Sequence, residues 1–330
     1  MLRRSVLRAA AASLAAPMVC ARAQLPARFP ERTVRIVVPY GVGVGPDVVM
    51  RSVAEALQRQ WRQAIVVDNR PGASGIVAFG EVGELRRGRV DGHTLLLADT
   101  ATMCVNPLLH DTLPYDPVRD LVPLTLLFRA TFVLLVGGES RFRNAAAMLE
   151  AARREPERVS YASLGNGHAS QVAIESLARA ANVRLLHVPF KDVGALFTAV
   201  ASGDVDFTAF SMNTAAGLLQ RGRLRAIAVA ARQRLAEHPA LPTLAEAGAP
   251  DVEMRPWAGV VAVTGTPAAQ LEQLQRDLVA AMATPEVRER IAPLGFELTP
   301  STPQQFRDRV AADTALYAPL VAEGRVSKNL

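Results

Sequence analysis

The stretch that most constrains this chain is Val34 to Arg51, which reads VRIVVPYGVGVGPDVVMR. Val34, Ile36, Val37 and Val38 make a short apolar run of the kind that forms a strand buried on both faces. Pro39 ends the run. Gly41, Gly43 and Gly45 follow at alternate positions, and glycines this close together reach backbone angles that other residues avoid. Pro46 and Asp47 then open a helix with Val48, Val49, Val53, Ala54 and Leu57 as its apolar stripe. A strand passing through a glycine-rich turn into a helix aims unpaired N–H groups and the positive helix end at the turn, which suits an anion. Turns of this kind also occur with no ligand, where the glycines serve packing.

Two functions fit this stretch equally well. Gly41-x-Gly43-x-Gly45 can hold a dinucleotide pyrophosphate, with Asp68, at the end of the apolar run Ala64 to Val67, as the ribose-binding acid. The same turn can hold the carboxylate of a small organic acid. The local physics does not separate them, so the rest of the chain decides.

The strand, glycine-rich loop and helix recur. Val159 to Ala162 reads as a strand, Ser163-Leu164-Gly165-Asn166-Gly167-His168 as the loop, and Ala169 to Ala181 as the helix. Two anion-ready helix ends in two α/β units point to one ligand gripped between them. Further strands are expected at 65–68, 94–98, 185–188, 205–210, 224–230 and 257–263. Helices are expected at 76–85, 145–154, 193–202, 214–221, 242–248, 268–282, 285–294 and 303–320. Asp99 to Thr102 ends a strand with small hydroxyl residues, at the mouth of a parallel sheet where ligands bind. Leu121 to Val136 reads as extended apolar segments crossing between units. There is no internal repeat.

The N-terminus reads as an export signal. Arg3, Arg4 and Arg8 supply the positive region, Ala9 to Val19 the apolar one, and Ala21-Arg22-Ala23 a cleavage site before Gln24. Arg3-Arg4-Ser5-Val6-Leu7-Arg8 resembles a twin-arginine signal. Cys20 is set aside as a lipid anchor because Pro17 stands where a lipobox wants leucine. Loss of residues 1–23 takes four arginines and lowers the formal charge from +6 to +2. The high pI is then partly a property of the leader, and no basic patch argues for nucleic acid. No later apolar stretch reaches the roughly 18 residues that span a bilayer. Only Cys104 would remain, so no internal disulfide is expected, and the histidines show no metal-ligand spacing.

With these segments placed, the chain resembles the tripartite tricarboxylate transporter receptors, the Bug-type periplasmic solute-binding proteins. The resemblance spans nearly the whole chain after the leader. It rests on Val38-Pro39-Tyr40 with Gly43 and Asp47, on Asn69-Arg70-Pro71-Gly72-Ala73-x-Gly75, and on Asp91-Gly92-His93-Thr94-Leu95. Asn106-Pro107, Pro114-Tyr115-Asp116-Pro117, Tyr161-Ala162-Ser163 and Gly165-Asn166-Gly167 add to it. His187-Val188-Pro189-Phe190-Lys191, Gly222-Arg223-Leu224-Arg225-Ala226 and Pro242-Thr243-Leu244-Ala245-Glu246-Ala247-Gly248 complete it.

The resemblance implies a type II periplasmic-binding fold: two α/β lobes joined by crossover strands, closing on a small carboxylate in the cleft. Lobe 1 is expected at 24–125 plus 255–330 and lobe 2 at 126–254. It implies a periplasmic receptor with no catalysis and no cofactor, which hands its ligand to membrane permease subunits, and the paired strand–loop–helix units suggest a monomer. An orphan sensor serving a regulatory partner is the alternative, and a dinucleotide enzyme the distant one. Resemblance and loop reading together set the ligand against Tyr40, Gly43, Val44, Gly45, Asp47, Ser74, Gly75, Thr100, Ala101, Ser163, Gly165, Asn166, Gly167, His168 and Phe210. The family's first loop usually reads Pro-Gly-Gly where this chain has Val42-Gly43-Val44. It usually has Ser or Thr at His168, often His at Gln171, Asp at Phe210 and Asn at Ile76. Val44 and Phe210 are therefore expected to line the pocket with hydrocarbon and to favour a monocarboxylate with an apolar body.

Overall fold

Val34–Val38 forms β1, and Val34, Ile36, Val37 and Val38 are wholly buried. The computed structural model describes residues 29–88 and 90–327, so the expected leader at 1–23 lies outside the described residues. The strands that follow are β2 (Ile65–Asn69), β3 (Thr94–Asp99), β4 (Leu121–Ala130), β5 (Val133–Gly137), β6 (Ser160–Ser163), β7 (Leu186–Pro189), β8 (Phe207–Phe210), β9 (Leu224–Val229), β10 (Trp257–Val263) and β11 (Phe296–Leu298). They form two sheets, ordered β11-β4-β10-β3-β1-β2 and β7-β6-β8-β5-β9. β1 pairs in parallel with β2 and β3, and β6 with β7 and β8. β10 runs antiparallel between β3 and β4.

The helices are α1 (Gly45–Trp61), α2 (Ile76–Phe79), α3 (Val82–Arg87), α4 (Asn106–Leu109), α5 (Ala145–Arg154), α6 (Ala169–Ala180), α7 (Val193–Ser202), α8 (Ala216–Gln220), α9 (Ala268–Ala283), α10 (Pro285–Ile291) and α11 (Pro303–Ala322). In lobe 1, α1, α9 and α10 cover one face of the sheet through Val53, Leu57, Leu278 and Ile291. α2, α3 and α11 cover the other through Phe79, Val82, Phe306 and Leu320. Covered on both faces, the strands carry side chains worth roughly 1.5–3 kcal/mol each when fully buried. In lobe 2, α5 and α6 pack one face and α7 the other. Helix starts are specified locally. Asn144 and Asp192 accept from Ala147 and Ala195 N–H at 2.8 Å, and Thr302 with Gln305 forms a capping box.

Three expectations need correction. The boundary at 125/126 falls inside β4, which stays hydrogen-bonded to β10 as far as Arg129, so the chain leaves the first sheet only after Ala130. Pro242 to Gly248 is a single turn, not a helix, because Thr243 and Glu246 cap each other and Gly248 (φ +78°) turns the chain away. The helix expected at 76–85 is two short helices. Beyond Asp99 the chain enters a wide helical turn at Ala101–Val105, and β11, three residues long, was too brief to register as a pattern.

Candidate functional site

Both lobes present loops at the C-terminal ends of parallel strands, the edge where open α/β sheets bind ligands. In lobe 1 these follow β1, β2 and β3; in lobe 2 they follow β6 and β8. In the first loop, Asp47 is wholly buried. Its carboxylate accepts from Gly43 N–H at 2.8 Å, Arg51 Nε at 3.0 Å and Asn69 Nδ2 at 2.7 Å. Burial opposes its ionisation, but these bonds outweigh burial and hold the carboxyl below its usual range. The expected roles of two residues therefore change: Asp47 braces the loop, and the Gly43 N–H offered to a ligand is already taken. Among the described residues, the N–H groups of Gly45 and Asp47 at the start of α1 have no protein acceptor. Gly45 is obligatory, because a Cβ there would lie 2.6 Å from the Phe296 ring. Val44 is 48% exposed, beside Val42 at 75%.

Tyr40 donates its hydroxyl to Asp99. Asp99 also accepts Thr102 N–H at 2.8 Å. Burial pushes the Asp99 carboxyl up, against these hydrogen bonds. Asp99 thus caps the turn after β3 from within. Thr100 and Ala101, expected beside the ligand, are 1% and 4% exposed, and Thr100 Oγ1 accepts from Trp257 N–H at 3.4 Å. Asp68, the acid a ribose would need, is paired with Arg35 and Arg70.

The loop after β2 carries four successive residues in the left-handed region: Gly72, Ala73, Ser74 and Gly75, with φ of +134°, +47°, +49° and +90°. Non-glycine residues adopt it at a cost, which marks sites that the surroundings over-determine. Ser74 Oγ donates to the carbonyl of Asn166 at 3.1 Å, across to lobe 2. A Cβ at Gly167 would lie 2.7 Å from Leu109 of lobe 1, and Asn166 Nδ2 reaches Ser327 O at 2.8 Å. The loops after β2 and β6 therefore touch each other.

In lobe 2, Ser163 is wholly buried and Gly165 N–H donates to it at 3.1 Å. His187, stacked on Tyr161, links it to Gln171. Gln171 Nε2 donates to His187 Nδ1 at 3.2 Å, which leaves the proton on Nε2 for Ser163 Oγ at 2.6 Å. Gln171 Oε1 accepts Gly167 N–H at 2.7 Å. His187 and Gln171 thus brace the loop, and sequence reasoning named neither as a site residue. The register Tyr161↔His187 on neighbouring strands was the signal that places them. His168 caps α6: its Nδ1 accepts Ser170 N–H at 3.1 Å, so the ring is neutral with its proton on Nε2. Burial pushes His168 and His187 each down to about 4. Phe210 is 6% exposed and packs among Phe132, Phe197 and the His168 ring. It is core beneath the histidine, and the broad hydrocarbon wall expected from it is not formed. Cavities of about 450 and 510 Å³ lie elsewhere on lobe 1, around Met282 and Leu271, and none of these loop residues lines them.

Residues 49–324 match the family described as "Tripartite tricarboxylate transporter family receptor". The chain belongs to this receptor family. It is 34% identical over 328 residues to the UPF0065 protein of the tcbD-tcbE intergenic region of Pseudomonas sp. strain P51, covering 99% of this chain and 96% of that one. Among solved structures it is similar to Rpa4515 of R. palustris with adipate, at TM-score 0.80 and 27% identity over 91% of this chain and 99% of that one. It is also similar to MatC (Rpa3494) of Rhodopseudomonas palustris with bound malate, at TM-score 0.77 and 27% identity, covering 88% and 99%. Among the described residues no cluster of three His, Cys, Asp or Glu side chains is placed to hold a metal ion.

Proposed function

We propose that the protein is a periplasmic receptor that captures a small organic carboxylate between its lobes and delivers it to a membrane permease. The observation that carries this reading is the Ser74–Asn166 hydrogen bond, which joins the β2 loop of one lobe to the β6 loop of the other. Opening and closing the cleft makes and breaks contacts at the ligand loops themselves, as capture by closure requires. Lobe 1 offers the free Gly45 and Asp47 N–H groups at the positive end of α1. Lobe 2 offers the Asn166 N–H, since those of Gly165 and Gly167 are taken by Ser163 and Gln171, and the Nε2–H of His168 at the start of α6.

These donors are neutral, so closure and water exclusion strengthen the binding rather than a buried ion pair. Arg51 is occupied by Asp47, so a ligand anion at the lobe 1 loops is held by N–H dipoles. One carboxylate at each lobe suits a dicarboxylate, the class that both adipate and malate represent in the similar structures. Nothing in the cleft requires a reaction step, and the receptor reading is one of binding without catalysis. The leader sequence supports export to the periplasm, and the family supports a permease as recipient.

The experiment is a thermal-shift and calorimetric screen of mono-, di- and tricarboxylates against neutral solutes and amines. Carboxylates are expected to stabilise the protein by about 2.7 kcal/mol at one hundred times the dissociation constant. Stabilisation by neutral solutes alone would remove the reading.

A further inference from the structure

Three arginines meet where the chain crosses between the lobes. Arg129 is the last residue but one of β4 on the outward crossing, Arg255 stands just before β10 on the return, and Arg309 belongs to α11. The register sets Arg129 opposite Trp257 on β10 and Glu297 on β11. Two carboxylates answer the three cations. Glu297 pairs with Arg255. Asp313 accepts from Arg309 Nε at 2.9 Å and from Trp257 Nε1 at 2.7 Å.

Arg129 is left over. Among the described residues its guanidinium has no hydrogen bond and no ion pair, and its Nε is buried without an acceptor, as is the Nε of Arg255. Burial first, then the charges of Arg309 and Arg255, work against its protonated form. Buried N–H groups of charged side chains find partners in native proteins, and an orphaned one calls for an ion or water to satisfy it.

We infer that Arg129, Arg255 and Arg309 form a second anion site, on the α11 side of the crossing strands, for a small oxyanion. Guanidinium forks match two oxygens of a carboxylate, phosphate or sulfate at once, which a chloride does not offer. The cluster carries one net positive charge, so one bound anion neutralises it. The site is separate from the loops after β1, β2 and β6 and goes beyond the carboxylate-receptor reading. Its position on both crossings lets the anion tie them to α11.

The test is calorimetric titration of sodium phosphate, sodium sulfate and sodium acetate into the protein at constant ionic strength set with chloride. The parent is compared with Arg129→Met and with Arg59→Met, which removes the same charge from an exposed position on α1. Saturable oxyanion binding is expected in the parent and in Arg59→Met, weakened at least tenfold in Arg129→Met. Glu297→Gln releases Arg255 and is expected to tighten binding severalfold, which keeps the test open should Arg129→Met fold poorly. Acetate binding as well as phosphate would admit carboxylates as natural occupants, and phosphate or sulfate alone would restrict the site to inorganic oxyanions. No saturable binding of any oxyanion to the parent, or equal binding to Arg129→Met, overturns the site.

Discussion

The ring of Phe296 stands against the backbone of Gly45, so close that a Cβ on the glycine would lie 2.6 Å away. Gly45 begins α1, and Phe296 is held from behind by Phe128, whose ring centroid is 4.4 Å distant. The anion-ready end of α1 is thus positioned by β11, an element contributed by the far end of the chain.

Gly45→Ala should therefore push α1 and its loop away from β11. Overpacking of this kind costs about 1–3 kcal/mol. Carboxylate affinity should fall with stability, because the free N–H groups of Gly45 and Asp47 move. Adding Phe296→Leu removes the clashing ring edge and should recover much of both. Urea unfolding and calorimetry on the single and double variants measure the coupling. Independent, additive effects would show that the ring does not set the loop.

Much of this arrangement was legible in the sequence for a physical reason. Val34–Val38 is a buried run with no competing period, and Gly41, Gly43, Gly45 and Pro46 punctuate it unambiguously, so strand, loop and helix follow from local chemistry. The same holds for Ser163 to His168. What was not legible is who answers whom. Asp47 reads in sequence as a ligand contact at the opening of a helix, but its carboxylate turns back to Gly43 and sideways to Asn69 on the neighbouring strand. His187 reads as a strand histidine until β7 lies beside β6 and brings it to Ser163 and Gln171. Phe210 stands where the resemblance implies a polar residue, yet its neighbours Phe132 and Phe197 draw it into the core. Pairings across strands depend on tertiary register, which no local pattern encodes.

Ser74→Ala deletes the one side-chain bond between the β2 and β6 loops while leaving the left-handed turn in place. The bond is solvent-exposed, so its loss should cost about 0.5–1 kcal/mol of the closed form, a few-fold in affinity. Global stability should change little. Small-angle scattering with ligand should show a smaller compacted fraction than in the parent at equal ligand concentration. An unchanged profile and affinity would mean that closure is set elsewhere.

Acid should weaken the protein through its cleft histidines. His168 and His187 are pushed from 6.5 down to about 4 by burial. Between those values the unfolded chain binds protons that the folded one refuses, so stability rises with pH across this window and is lost on acidification. The effect is about 1–3 kcal/mol per histidine, the lower end allowing for partial exposure. His187→Gln should flatten the stability profile between pH 6.5 and 4, measured by denaturant melts. A profile identical to the parent's would place the histidine in a solvated setting.

The last expectation concerns the shape of the ligand. Each lobe supplies its own neutral donors, the N–H groups of Gly45 and Asp47 on one side and the Asn166 N–H with His168 Nε2–H on the other. A molecule with a carboxylate at each end engages both sets and stabilises closure from both sides. A monocarboxylate engages one set and leaves the other to water. Phe210 is 6% exposed beneath His168, so it offers an alkyl end little apolar surface in place of the second carboxylate. Adipate should therefore bind at least tenfold more tightly than hexanoate of equal length, a difference of about 1.4 kcal/mol. Because His168 is neutral near pH 7, this preference rests on hydrogen bonding and should vary little between pH 6 and 8. His168→Ala should lower adipate affinity more than hexanoate affinity. Calorimetry with both acids on parent and variant decides the matter. Tighter binding of hexanoate to the parent would mean that one lobe alone recognises the carboxylate and that the other closes over an apolar tail.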